Sequence, residues 1–419
     1  MIHSVHNLRP WQRTLSIMFI AQLVTAVGFS IFFPFLPLYV AELGSSTALS
    51  VEFLAGAVFS AQALTMAIAS PIWGAVADRY GRKLMVERAM FGGAVILLLM
   101  GFAQSAEQLV FLRAIQGLIT GTVAAANALV AAVAPRERTG FAMGLLQMGQ
   151  VSGVAIGPLI GGLIADAFGY RYAFIITSLL LLFSGLLVWW GVDEEFTPPT
   201  KTEPRRIHFW REWRAVWRMP GVSFAYSLRF LSNLGHTLLL PFAPLFIATL
   251  LSDQSRINSI TGLTIGITAG AGTVTAVYLG RLGDRVGHRR VLIGSALLAG
   301  LFYLPQSQVT AAWQLLLLQA LTGAAAGGVI PSISALLAHY SRSDQAGSVY
   351  GLENSIVSAS RAIAPIVGSL VVLQFGLSAA FVAAGIVYLL VALLTAVRLP
   401  QVMPTPKEAL IEPLESRSS

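Results

Sequence analysis

The chain has 419 residues, only 11% of them charged against 56% apolar, which is too oily for a soluble protein with a wet surface. Its net charge of +8 does not indicate nucleic acid, because the positive residues stand in short breaks between apolar stretches with no aromatic-basic stripe beside them. With no cysteine there is no disulfide framework or thiolate site, and no metal cluster, nucleotide loop or nucleophile constellation suggests an enzyme.

In chain order the sequence offers twelve apolar stretches of about 20 residues, the length that crosses a bilayer. They start near residues 13, 51, 85, 107, 140, 171, 221, 257, 291, 312, 347 and 378. The first, Leu15 to Val40, is too long for a signal-peptide core and reads as span one. All are near-continuous blocks rather than alternating ones, so the fold is expected to be all-α. It is read as a polytopic membrane protein of twelve transmembrane helices in two pseudo-symmetric six-helix bundles. Of the 27 Lys and Arg, 22 fall in one set of loops and tails, two (Arg171, Arg256) in the other and three (Arg113, Arg229, Arg361) at membrane depth. That bias puts both termini in the cytoplasm. The expected layout is an N-terminal bundle over 1–192, a cytoplasmic linker over 193–220, a C-terminal bundle over 221–398 and a cytoplasmic tail over 399–419.

The two halves repeat. Gly28 and PFLPLY at Pro34 recur as Gly235 and PFAPLF at Pro241, 207 residues on. Gly74, Asp78, Arg79 and Gly81 recur as Gly280, Asp284, Arg285 and Gly287 at 206, and Gly144 and Pro158 recur as Gly351 and Pro365 at 207. Both halves start inside, so the repeats are parallel and a site at their interface is expected.

Four motifs stand out: GAVADRYGRK from Gly74 to Lys83, its degenerate copy GRLGDRVGHRR from Gly280 to Arg290, LRAIQG from Leu112 to Gly117, and GQVSGVAIGPLIGG from Gly149 to Gly162. With them the chain resembles the major facilitator superfamily over nearly its whole length, and within it the twelve-helix bacterial drug–proton antiporters. The resemblance implies a monomeric transporter of the bacterial inner membrane with lipid and a small molecule as partners, no nucleic acid and no cofactor, the proton gradient supplying the energy. It also implies an intracellular latch of the outward-open state, made by Gly74, Asp78, Arg79, Gly81 and Arg82 with Asp284 and Arg285. Gly74 would admit a neighbouring backbone, and Asp78 would sit on the N-terminus of span eleven. The alternative is that these charges only stop helices and fix topology.

Gly149, Gly153, Gly157 and Gly161 share one helix face, and Gly262, Gly266 and Gly270 repeat the spacing in span eight. The two rows, with Gly162, are expected to meet in an extracellular seam between the halves, and Pro158 to bend span five. Ionisable groups at membrane depth are functional candidates: Arg113, Arg229, His236, Glu353 and Arg361. Spans one, four, seven and ten line the cavity in the family, so Arg113, Arg229 and His236, with Gln22 and Gln319, form the expected polar wall. Arg113 could instead anchor backbone carbonyls, Arg229 could snorkel and His236 could be a satisfied core histidine.

Glu353, His236, Arg113 and Arg361 are the proton-coupling candidates. Glu353 and Arg361 lie about 12 Å apart along the helix, too far to pair directly, so each needs another partner. With few acids against these cations, an anionic or zwitterionic substrate is favoured, such as a siderophore. The leading expectation is proton-driven export of drugs or metabolites by alternating access, with export of an anionic metabolite such as a siderophore as the alternative. Facilitated uptake of a sugar or organic anion, and a transport-dead receptor or scaffold, are the rivals.

Overall fold

The computed structural model describes residues 10–135, 138–194, 221–340 and 346–398. The expected tail, and all of the expected linker except residues 193 and 194, lie outside the described residues.

Every described rod is helical, as lipid requires of a backbone that must satisfy its own hydrogen bonds. Span one is Pro10–Phe32 continued, after a tight turn at Phe33–Phe35, by Leu36–Leu43. Spans two and three are Val51–Tyr80 and Arg82–Met100, and span four is Ala106–Ile119 followed by Thr122–Val133. Spans five and six are Thr139–Phe168 and Tyr170–Gly191, and span seven is Val222–Leu239 followed by Ala243–Leu250. Spans eight and nine are Ile257–Val286 and His288–Tyr303, and span ten is Ala312–Ala326 followed by Val329–Tyr340. Spans eleven and twelve are Ala346–Phe375 and Ala379–Arg398.

Among the described residues ten segments are long and apolar enough to cross a membrane. The two rods that fall short are spans three and four. Span three opens on Arg82, Lys83, Glu87 and Arg88, and span four is cut by Thr120 and Gly121 into two short helices.

The repeat seen in the sequence governs the architecture. Val51–Tyr80 and Ile257–Val286 are each 30 residues long and 206 apart at both ends, and Thr139–Phe168 and Ala346–Phe375 are each 30 long and 207 apart. Even the breaks repeat: the proline turns fall in spans one and seven, and the glycine breaks in spans four and ten. Gly81 and Gly287, at φ +97° and +96°, each form a one-residue joint between long helices, a conformation that costs glycine alone no steric penalty.

Packing follows the same plan twice. Span one lies on five and six, two on four, and three on six; correspondingly seven lies on eleven and twelve, eight on ten, and nine on twelve. The halves touch mainly through two pairs, span two with eleven and span five with eight, with smaller contacts of the Phe33–Phe35 turn on span eight and of Leu36–Leu43 on Ala243–Leu250.

Call the end that carries Pro10 and Arg398 the terminal face, and the other the distal face. Both seams are shut distally. An added Cβ at Gly162 would fall 2.6 Å from the Asn258 carbonyl oxygen, and one at Gly56 2.6 Å from that of Pro365. The Ser369 hydroxyl reaches across to donate to the Glu52 carbonyl at 3.0 Å. Toward the terminal face the halves part: Gly74, Gly144 and Gly270 look onto open space. A cavity of about 220 Å³ opens there between spans five and eight, bordered by Gln147, Gln150, Val154, Ala269 and Thr273.

The expected meeting of two glycine rows does not occur. Gly149, Gly153, Gly157 and Gly161 all pack on span one, within their own half, against Phe19, Ala26, Val27 and Ile31. Gly262 instead meets the Pro158 carbonyl, Gly266 meets Leu159, and Gly270 meets nothing. The reason is geometric. Residues four apart drift by about 40° and stay on one face, whereas the next residue along points about 100° away. Pro158 and Gly162 are those next residues, so they and not the four-residue series form the seam between halves.

Candidate functional site

The ionisable groups expected at membrane depth divide between two places. Arg113 is sealed inside the N-terminal half, where it is 1% exposed. Its Nε donates to the Val58 carbonyl at 3.1 Å, Nη1 to Gln116 Oε1 and Nη2 to Gln62 Oε1 at 2.6 Å. The guanidinium also lies 5.9 Å from the ring centres of both Phe32 and Phe33. No carboxylate takes part in these contacts, so neutral oxygens and π faces solvate the charge. Gln22, also buried, donates to the Thr122 carbonyl at 3.2 Å. Buried Gln22, Thr25, Gln116, Thr120 and Thr122 form a polar layer between the two apolar clusters of this half.

The matching place in the second half is neutral. Gln319 stands where the repeat puts the counterpart of Arg113, and its Nε2 donates to Gln306 Oε1 at 3.0 Å while its Oε1 accepts from Thr268 at 3.2 Å. Gln306 in turn donates to Thr322 at 2.8 Å. Arg113, Gln22 and Gln319 are thus interior hydrogen-bond hubs in this arrangement, not exposed parts of a cavity wall.

The second place is the joint between spans seven and eleven. Arg229 Nε lies 3.0 Å from Glu353 Oε1, with both side chains mostly buried. Nε is not aligned for a hydrogen bond, so the contact is one of charge. Tyr226 flanks the carboxylate and Tyr388 the guanidinium, within electrostatic reach. Glu353 therefore finds its partner across the seam, as its distance from Arg361 requires. Two helical turns further along each helix come His236 and Arg361, within electrostatic reach of each other. Both side chains are exposed at this depth in their helices. Counting about 1.5 Å per residue from the helix starts at Val222 and Ala346, the ion pair lies roughly 10 Å from the terminal face and the His–Arg tier roughly 21 Å. Asn233 stands between the tiers, its Nδ2 3.4 Å from Thr237 Oγ1 and 3.5 Å from the Val357 carbonyl.

The seam between spans seven and eleven can hold these side chains because it lacks the glycine stripe of its twin. At the positions matching Gly149, Gly153 and Gly157 stand Ile356, Ser360 and Ala364, and only the last of the row, Gly368, remains glycine. Span eleven is held off by side chains there, with the Ser360 hydroxyl donating to the Phe230 carbonyl at 3.2 Å.

At the terminal face Arg79 lies 5.4 Å from the Tyr80 ring, while exposed Asp284 meets His288 at 3.2 Å and Arg285 is exposed. The surroundings of the Asp78 side chain and of residues 346–351 lie outside the described residues.

Three residues escaped the sequence reading. Glu194, at the end of span six, accepts from the Arg82 and Lys83 amides at 3.0 and 2.7 Å, capping span three from outside. Arg88 stacks 3.5 Å over the Trp73 ring, whose Nε1 donates to the Leu118 carbonyl beside the break in span four. Asp166 bridges the two halves at the distal face, accepting from the first turn of span eight. A lone acid closing an apolar helix is the only signal for Asp166 in the sequence, and Glu194 stands there within the acidic run Asp193 to Glu195 that follows span six. Arg88, only six residues past the start of span three, counts in the sequence among the loop cations.

Comparison with known proteins agrees with this geometry. The model of the Major Facilitator Superfamily matches residues 18–252 and 225–417. The chain is 37% identical over 379 residues to the multidrug resistance protein MdtG of Salmonella dublin, covering 90% of this chain and 93% of that one. It is 36% identical over the same length to MdtG of Salmonella arizonae. Among solved structures, the nucleoside transporter NupG aligns with a TM-score of 0.77 at 13% identity, covering 91% of this chain and 99% of that one. The human organic anion transporter MFSD10 aligns at 0.63 and 19%, covering 93% and 100%.

Proposed function

This chain belongs to the Major Facilitator Superfamily, and from that premise we propose that it is an exporter of small organic molecules, driven by exchange for protons. It is a multi-pass membrane protein and a secondary transporter, related to an efflux protein over nine-tenths of its length. The export direction rests on that relative and on the glycine-rich span five. We place the terminal face in the cytoplasm, from the bias of Arg and Lys to that side.

The observation that carries the proposal is the two-tier charged seam between spans seven and eleven. A membrane-embedded ion pair is costly and is found where function uses it. Protonating Glu353 would release Arg229, and losing the proton would restore the pair, so the contact can load and unload one proton per cycle, with both charges partnered in the deprotonated state. Arg361 and His236 line the cavity above it. With Arg229 neutralised by Glu353, Arg361 leaves this site net positive, which favours a carboxylate-bearing or zwitterionic substrate over a lipophilic cation. A siderophore is one molecule of that class.

Proteoliposomes test the reading with two probes, a fluorescent dicarboxylate and a fluorescent lipophilic cation, under an imposed pH gradient. The expected result is gradient-dependent movement of the anion, faster than that of the cation. Anion movement indifferent to the gradient, or a clear preference for the cation, contradicts it.

A further inference from the structure

The distal end of the joint between spans five and eight carries a contact that neither the fold nor the charged seam requires. Span eight opens at Ile257 with Arg256 in the cap position, and Arg256 supplies no side-chain cap. The free amides of a first helical turn need acceptors, and here they come from the other half of the molecule. Asp166 Oδ1 accepts from the Asn258 amide at 3.1 Å and from Asn258 Nδ2 at 2.9 Å. Its Oδ2 accepts from the Ser259 amide at 2.8 Å and from the Ser259 hydroxyl. Tyr170, one turn further along, lies beside Asn258. One turn back, Gly162 lets the two backbones touch, so the carboxylate seats on the helix end with nothing between.

The twin seam shows that closure does not depend on such a contact. Span two caps itself, its Ser50 Oγ accepting from the Phe53 amide at 3.2 Å. The position in span eleven that matches Asp166 is Leu373, 48% exposed. That seam is nevertheless shut, through Gly56 and Ser369. Asp166 is therefore an addition to one seam only. It joins the two bodies that must separate for the distal side to open, and it does so through a helix cap whose loss strips span eight's first turn of its acceptor.

We infer that Asp166 is a gating residue of the transport cycle. Its carboxylate holds the distal side closed while the terminal side is open, and it must leave the end of span eight before the cavity can face the other compartment. This rests on the alternating-access reading and adds to it the residue that sets the balance between the two states. Removing a cap contact of this kind shifts an equilibrium by about tenfold.

The natural absence of cysteine makes the test direct. Spin labels on the pair Tyr172→Cys and Ser252→Cys, exposed positions at the distal face in opposite halves, report distal opening in the full-length protein in lipid. Asp166→Ala is expected to raise the open-to-closed ratio about tenfold. Asp166→Asn, which keeps the shape and one acceptor oxygen, is expected to shift it the same way by less, and serves where the alanine variant folds poorly. A purely structural Asp166 would lower thermal stability and leave the distance distribution of the folded molecules unchanged. Two populations whose ratio ignores both substitutions overturn the gate alone. A single fixed distribution in wild type and variants, whichever probe anion is added, overturns alternating access and the gate with it.

Discussion

The joint of spans one and five and its twin, spans seven and eleven, occupy equivalent places in a duplicated frame and are built on opposite principles. In the first, four glycines let span five lie against the backbone of span one, leaving no room for a side chain between them. In the second, Ile356, Ser360 and Ala364 replace three of those glycines, and the wider joint holds Arg229, Glu353, His236 and Arg361. The other pair of twins reverses the assignment: the joint of spans two and four holds charged Arg113, and that of spans eight and ten holds a neutral glutamine–threonine network. Duplication supplied two copies of one scaffold, and in the first pair of twins side-chain volume separates the joint that carries ionisable groups from the one that does not.

The sharpest way to break this comparison is to empty the buried charge site. Arg113→Ala removes the donor for Val58, Gln62 and Gln116 and leaves a cavity, an expected loss on the order of 3 kcal/mol or more. Gln319→Ala at the matching place is expected to cost about 1–2 kcal/mol, because its network is neutral. Thermal unfolding in detergent compares them, and equal losses would mean that the two hubs do the same structural work.

Next in size is the tight joint. A Cβ at Gly153 would lie 2.6 Å from the Ala26 Cβ and 2.8 Å from the Val27 nitrogen, so Gly153→Ala should destabilise by about 1–3 kcal/mol. Ser360→Ala, its counterpart, loses one hydrogen bond to Phe230 and should cost about 1 kcal/mol or less. The smallest effect belongs to Gly270, which meets nothing within 4 Å, so Gly270→Ala should leave the melting temperature within the change that about 0.5 kcal/mol produces. A large loss there would restore the expected glycine-on-glycine seam.

Much of the frame was legible in the sequence, because apolar blocks of bilayer length and motifs repeated at offsets of 206 and 207 leave few alternatives. The site was legible in its members but not in their pairing. Glu353 clearly needed a partner other than Arg361, yet nothing in the sequence says that Arg229 faces it across the joint. Gln22 and Gln319 announce polarity at membrane depth without saying which way they point. The glycine spacing named a face but not the neighbour, and the 100° step to Pro158 and Gly162 assigned the inter-half seam to residues outside the series. Asp166 looked like a helix end because its partner lies 92 residues away in the other half.

The claim that transport chemistry resides in the spacious joint of the second half is tested most directly by proton-driven flux of the dicarboxylate probe through Glu353→Gln in proteoliposomes. A neutral, isosteric side chain keeps the joint filled but cannot take up and release a proton beside Arg229. The account predicts that uphill movement driven by the pH gradient is lost while downhill exchange of the probe persists. Gradient-driven accumulation at the wild-type level would contradict it.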